Sequence, residues 1–115
     1  MNEKQVIEND PKMEILASFF VAGVQFHELR TVSAEIKEGA ILDLVLEPTN
    51  KYDPNAVRIE YEGTMLGYVP KKFSSTVAGN LTVGPVLCHV KTINMNKKTY
   101  EQLFVEILVE AYNES

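Results

Sequence analysis

The sequence predicts a mainly β protein, a small six-stranded β barrel with one or two short helices, and three observations carry that expectation. Short apolar or alternating runs recur along the chain, most of them too brief for a helix. Clusters of Gly, Pro, Asn and Asp punctuate them where turns are needed. One segment alone, KKFSSTVAGNL, repeats apolar residues at near-helical spacing.

Taken in order, residues 1–12 are polar with a proline at position 11 and read as a flexible N-terminal arm, leaving one domain over residues 13–115. FFVAGV, Phe19 to Val24, is too short for a helix and reads as a buried strand, with Gly23 marking a bulge or a close backbone approach. AILDLVL, Ala40 to Leu46, is the second strand, with Asp43 facing out near an edge. AVRIEY sets Val57, Ile59 and Tyr61 against Arg58 and Glu60, the period of a half-buried strand. Glu62 and Gly63 then form a tight hairpin turn into TMLGYV. Pro70 suits the first position of a helix in which Phe73, Val77 and Leu81 recur, and Gly84 and Pro85 end it. VLCHVKTI and QLFVEILVEA complete the six strands across a polar hairpin, with Leu103, Val105, Ile107 and Val109 on one face.

A chain of 115 residues holds one core and one small site. It has no apolar run of the roughly 18 to 20 residues that a membrane span needs, and its start lacks a secretory layout. A soluble, intracellular, cytoplasmic protein is the expectation. Cys88 has no partner for an internal disulfide, and one cysteine with two separated histidines, His27 and His89, is too little for a structural metal site. No metal and no cofactor are expected. Phosphate-loop, nucleophile and metal-helix motifs are absent, so no enzyme is expected either.

The formal net charge of −5 argues against nucleic acid as a partner, but the charge is uneven. Residues 1–14 and 101–115 together carry −6, and residues 15–100 carry +1. The middle of the chain permits a local phosphate contact without building a long basic groove.

NKYDPNA, from Asn50 to Ala56, raises the sharpest question. Its Asn, Asp and Pro residues make turns, and Asp53 can cap its own turn through Asn55 while Tyr52 lies over the barrel. The alternative uses the chemistry of both side chains: a carboxylate repels phosphate but accepts a hydrogen bond from a hydroxyl, and an exposed ring offers a face to a base. Together they suit the terminus of a nucleic-acid strand. Lys71 and Lys72 fall in the first turn of the helix, where Asp or Glu is normally preferred. Either two solvated lysines tolerate that position, or they converge with the free N–H groups on one anion. Tyr68, just upstream, is another candidate ring.

FVAGVQF, EPTNKYDPNAVRI and GTMLGYVPKK followed by a short helix resemble the HIRAN domain over roughly Phe19 to Val109. That family occurs at the N-terminus of helicase-like fork-remodelling ATPases and as a small stand-alone bacterial or phage protein, the form this short chain suggests. The resemblance implies an OB-like β barrel that binds the 3′ end of single-stranded DNA and recognises its free hydroxyl. It implies that Tyr52 stacks on the terminal base, that Asp53 accepts the hydroxyl proton, that Phe26 occupies an aromatic position after the first strand, and that Tyr68 and Lys71 lie near the bound backbone. Phe26 lacks the hydroxyl of a tyrosine, and His27 replaces a second ring. The expected function is a non-catalytic DNA-binding module for repair or replication, its site Phe26, Tyr52, Asp53, Tyr68, Lys71 and Lys72. A single-stranded DNA end is the partner, with a separate DNA-processing protein as a further one. The rival is a protein-interaction domain of the same fold, with the acidic termini and an edge strand exposing Phe104 and Leu108 as its surface.

Overall fold

The computed structural model describes residues 12–111. Six strands, β1 (Met13–Phe20), β2 (Ile41–Leu46), β3 (Val57–Tyr61), β4 (Thr64–Tyr68), β5 (Val86–Ile93) and β6 (Leu103–Glu110), form one sheet in the order β1-β6-β5-β2-β3-β4. Every named pairing is antiparallel. Two helices accompany the sheet, α1 (Leu29–Val32) and α2 (Lys71–Val83). The protein is therefore mainly β with two short helices.

Alternation decides which face each strand buries. On β3, Val57 and Ile59 are fully buried, while Arg58 and Glu60 turn outward and pair with each other at 2.7 Å. On β6, Leu103, Val105 and Ile107 are fully buried. The two ends of these expected inward rows, Tyr61 and Val109, are only half-buried, because the sheet runs out around them. Phe19, Val21, Leu66, Val77 and Val90 fill the same core.

Several expectations need correction. The first strand runs from Met13 to Phe20 and FFVAGV supplies only its end. A register shift between Ile15 and Ala17 breaks the alternation there, which is why the sequence hides that strand. Beyond Phe20 the chain leaves the ladder: Gly23 adopts φ 74° and opens a 3₁₀ turn over Val24–Phe26. The arm expected over residues 1–12 falls on residues outside the described ones except for Lys12, whose carbonyl accepts a hydrogen bond from the Ala111 N–H at 2.6 Å. Pro70 is the residue before the helix, extended at ψ 144°, so Lys71 is the first helical residue. Asp43 does face solvent, but β2 lies inside the sheet between β5 and β3. β6 is likewise no edge: it lies between β1 and β5, with Phe104 and Leu108 half-buried.

The ladder is not closed. The segment just beyond β1 meets the other edge strand, β4, at a single isolated bridge among the described residues, where Ala22 and Tyr68 exchange N–H to carbonyl hydrogen bonds of 2.9 Å. "Barrel" thus describes the curl of the sheet and not a continuous ring. Gly67 makes the approach possible, since a Cβ there would lie 2.7 Å from Val21 Cγ1 and collide with the Ala22 carbonyl. The close backbone contact looked for at Gly23 is made by Gly67.

Candidate nucleic-acid interface

The loop between β2 and β3 is built around Asn50. Its Oδ1 accepts from the backbone N–H groups of Tyr52 at 2.8 Å and Asp53 at 3.0 Å, and its Nδ2 donates to Glu47 Oε1 at 2.8 Å. Asp53 closes the next turn by accepting from the Asn55 N–H at 2.9 Å. A side chain that bonds the backbone two or three residues on holds a loop in one shape without a regular ladder. With the backbone fixed this way, Tyr52 needs no packing of its own and stands 84 % exposed.

Helix α2 then brings its first turn against this loop. Ser74, 3 % exposed, donates its hydroxyl to Asp53 Oδ2 at 2.6 Å. The Ser74 bond first, and the Asn55 N–H second, hold the Asp53 carboxyl below the usual carboxylate range, with the Lys71 charge adding to them. Asp53 therefore stays ionised, an acceptor with one hydrogen bond on each oxygen and further lone pairs available.

A second carboxylate stands behind it. Glu47 accepts from Asn50 and, through the same oxygen, from the Tyr68 hydroxyl at 2.7 Å, while Arg58 Nη1 lies 3.6 Å from its other oxygen. The Asn50 and Tyr68 bonds hold Glu47 below its usual range against the cost of burial, and the same Glu47 bond pushes the Tyr68 phenol up. Tyr68 is thereby fixed in orientation, with its ring edge-on to His27 at 5.8 Å between centroids.

These parts enclose a cleft of about 250 Å³ lined by Tyr52, Asp53, Tyr68 and Lys71 together with Ala22 and Asn50. Four of the six residues expected at the site thus converge, although Tyr52 and Lys71 lie far apart in sequence. Phe26, 76 % exposed, sits on the neighbouring 3₁₀ turn and does not line the cleft. Lys72 departs from the expected group: its Nζ lies 5.2 Å over the ring of Phe73, which stacks on Phe19.

Sequence reasoning missed Glu47, Asn50 as the organiser of the loop, and Ser74. The signal for Ser74 was a phase: the buried stripe of α2 is Ser74, Val77 and Ala78, whereas Phe73 and Leu81 are half-buried. A polar residue in a buried stripe needs a partner, and Asp53 is that partner. Cys88 is fully buried, and burial pushes its thiol up to about 12. Among the described residues no group of three or more His, Cys, Asp or Glu is placed to hold a metal, and no helix is long and apolar enough to cross a membrane.

Comparison with known proteins places this architecture. A crystal structure of a protein from Lactobacillus plantarum superposes with a TM-score of 0.73 at 19 % identity, covering 86 % of this chain and 96 % of that one. The crystal structure of the HIRAN domain of human HLTF gives a TM-score of 0.63 at 15 % identity, over 84 % of this chain and 77 % of that one. In sequence the chain is similar to a Fanconi-associated nuclease 1 homolog of Oryza sativa subsp. japonica, 24 % identical over 109 residues. That match takes in 91 % of this chain but spans only 11 % of the rice protein. The model of the HIRAN domain matches residues 16–111, nearly the whole described fold, and the chain belongs to the HIRAN family of DNA-binding domains.

Proposed function

We propose that this protein binds single-stranded DNA at a free 3′-hydroxyl end, as a recognition module without chemistry of its own. The observation that carries this reading is the cleft that joins an exposed ring, an ionised carboxylate and a lysine ammonium at the start of a helix. Each supplies what a strand terminus asks for. Tyr52 offers a free face for the last base, a contact worth about 1–3 kcal/mol in single-strand binders. Asp53 accepts the terminal hydroxyl proton. Lys71, with the N–H groups of Lys71 and Lys72 at the start of α2, meets the phosphate on the 5′ side of that nucleotide, while the Phe73 N–H is taken by the Pro70 carbonyl at 2.8 Å.

The carboxylate is the discriminating element. Held ionised by Ser74 and Asn55, it welcomes a hydroxyl and repels a terminal phosphate. A labelled strand ending in 3′-phosphate should bind at least about tenfold more weakly than the same strand ending in 3′-hydroxyl. Asp53→Asn should shrink that difference while weakening the hydroxyl end. Equal affinity of the native protein for both ends would take Asp53 out of the site. The rice relative is named as a nuclease and carries the matching region within its own chain, which supports a DNA-processing activity as the user of the end this domain finds.

A further inference from the structure

A second recess, of about 300 Å³, adjoins the 3′-end cleft. His27, Arg30, Thr31, Met95, Thr99 and Gln102 line it. The Val24–Phe26 turn connects the two: it runs from Ala22, which lines the first cleft, to His27, which lines the second. The two linings touch: the His27 ring of the second lies edge-on to the Tyr68 ring of the first, at 5.8 Å between centroids. On the same turn Phe26 leaves three quarters of its surface, 76 %, in solvent.

The recess is a built one. Gln102, 6 % exposed, donates through Nε2 to the carbonyls of Lys97 at 3.0 Å and Met95 at 3.4 Å. Asn94 Oδ1 accepts from the Asn96 N–H at 2.9 Å, and the Asn94 carbonyl accepts from the Lys97 N–H at 3.2 Å. These bonds fix the β5–β6 loop and present Lys97 and Lys98, both exposed, between the lining residues Met95 and Thr99. Arg30, Lys97 and Lys98 make no ion pair among the described residues. The nearby acids are Glu28, which accepts from the Thr31 hydroxyl at 2.9 Å, and Glu101. In a chain of net charge −5, this rim is locally positive.

We propose that this recess takes the strand upstream of its end: the nucleotides on the 5′ side of the terminal one cross the Phe26 turn and set their phosphates against Arg30 and the Lys97–Lys98 loop. The inference rests on the 3′-end reading, which fixes the direction of travel. With the terminal hydroxyl at Asp53, only the 5′ side of the strand can extend beyond the cleft. Phe26 gives an unstacked base a face on the crest between the two recesses, and the unpaired cations beyond it give phosphates somewhere to land.

Fluorescence anisotropy with a dinucleotide and a hexanucleotide, both ending in 3′-hydroxyl, tests this on the full chain. The hexanucleotide should bind about tenfold more tightly, with a log–log salt slope steeper by about 0.7 for each added phosphate contact. Arg30→Glu and the pair Lys97→Glu with Lys98→Glu, all exposed positions, should remove most of that advantage and the added slope. Dinucleotide affinity and the preference for hydroxyl over phosphate ends should be unchanged in these variants. If the native protein discriminates between ends but binds both lengths alike, or if the variants keep the full hexanucleotide affinity, the upstream path is wrong and the 3′-end reading stands. A native protein that binds neither length, or that does not distinguish the ends, overturns the 3′-end reading and this inference with it.

Discussion

Tyr52 and Asp53 are neighbours with opposite degrees of constraint, and that contrast sets what substitution does at each. Tyr52 is bonded only through its backbone, so Tyr52→Ala should leave thermal stability unchanged. It should weaken hydroxyl-ended and phosphate-ended strands by the same factor, about 1–3 kcal/mol of binding. Asp53 and Glu47 both have carboxyls held below their ordinary values of 3.8 and 4.5. A depressed folded pKa means stability that is complete above the ordinary value and is lost as pH falls through the lowered one. The melting temperature should therefore fall as the solution is acidified below about pH 5, and Glu47→Gln should flatten that fall. Tyr68 has the opposite sign: its folded pKa is raised above 10.0, so its contribution is complete below that value and disappears as pH rises through the higher one. The exposed ring and the carboxylate beside it were legible in the sequence, since a large aromatic in a string of turn formers has little to pack on. Ser74 and Glu47 were not, because their roles depend on α2 and β4 being folded against the loop.

Among the elements, the β3–β4 hairpin and the β4 approach to the Phe26 turn are the two places where backbone geometry restricts the sequence most. The hairpin was read correctly from Glu62 and Gly63, and both take positive φ, 48° and 85°, as a two-residue turn of the favoured hand requires. Glutamate is a poor choice there. Glu62→Asn should raise unfolding free energy by about 0.5–1 kcal/mol, a part of the left-handed penalty, measured by denaturant titration. Gly67→Ala should do the reverse, since the added methyl meets the Ala22 carbonyl and Val21. A loss of about 1–3 kcal/mol is expected for such overpacking, and strand binding should fall with it because Ala22 and Tyr68 line the cleft. Periodicity located β3, β5, β6 and α2 well, because each has one dry face. It failed on β1, where the register shift scrambles the alternation, and on α1, whose four residues are too few to show any period.

The whole molecule is acidic, and its charge bounds how DNA can be held. With Lys71 as the cation that lines the cleft, a short strand should show a salt slope on the order of −0.7 to −2, that of one to three phosphates, and an affinity no tighter than about micromolar. Nanomolar binding with a steep slope would mean that a basic surface elsewhere carries the interaction. Topology was the part of the fold least open to sequence reasoning: six strands could be counted, but their order depends on long-range pairing, and β6 was misread as an edge. The open ladder has its own dynamic consequence. The cleft beside Tyr52 and Asp53 lies across the bridge between Ala22 and Tyr68, with Ala22 on one lip and Tyr68 and Lys71 on the other. Parting the lips breaks the two Ala22–Tyr68 backbone hydrogen bonds, flanked only by the bond from the Glu28 N–H to the Met65 carbonyl at 3.0 Å among the described residues, and leaves every ladder intact, so the amide protons of Ala22 and Tyr68 should exchange with deuterium through a local opening far cheaper than global unfolding. A strand that touches both lips binds only the shut form and should slow that exchange in proportion to its concentration. DNA would then act as the clasp of the sheet, and the free protein would breathe first at the seam that borders its candidate interface.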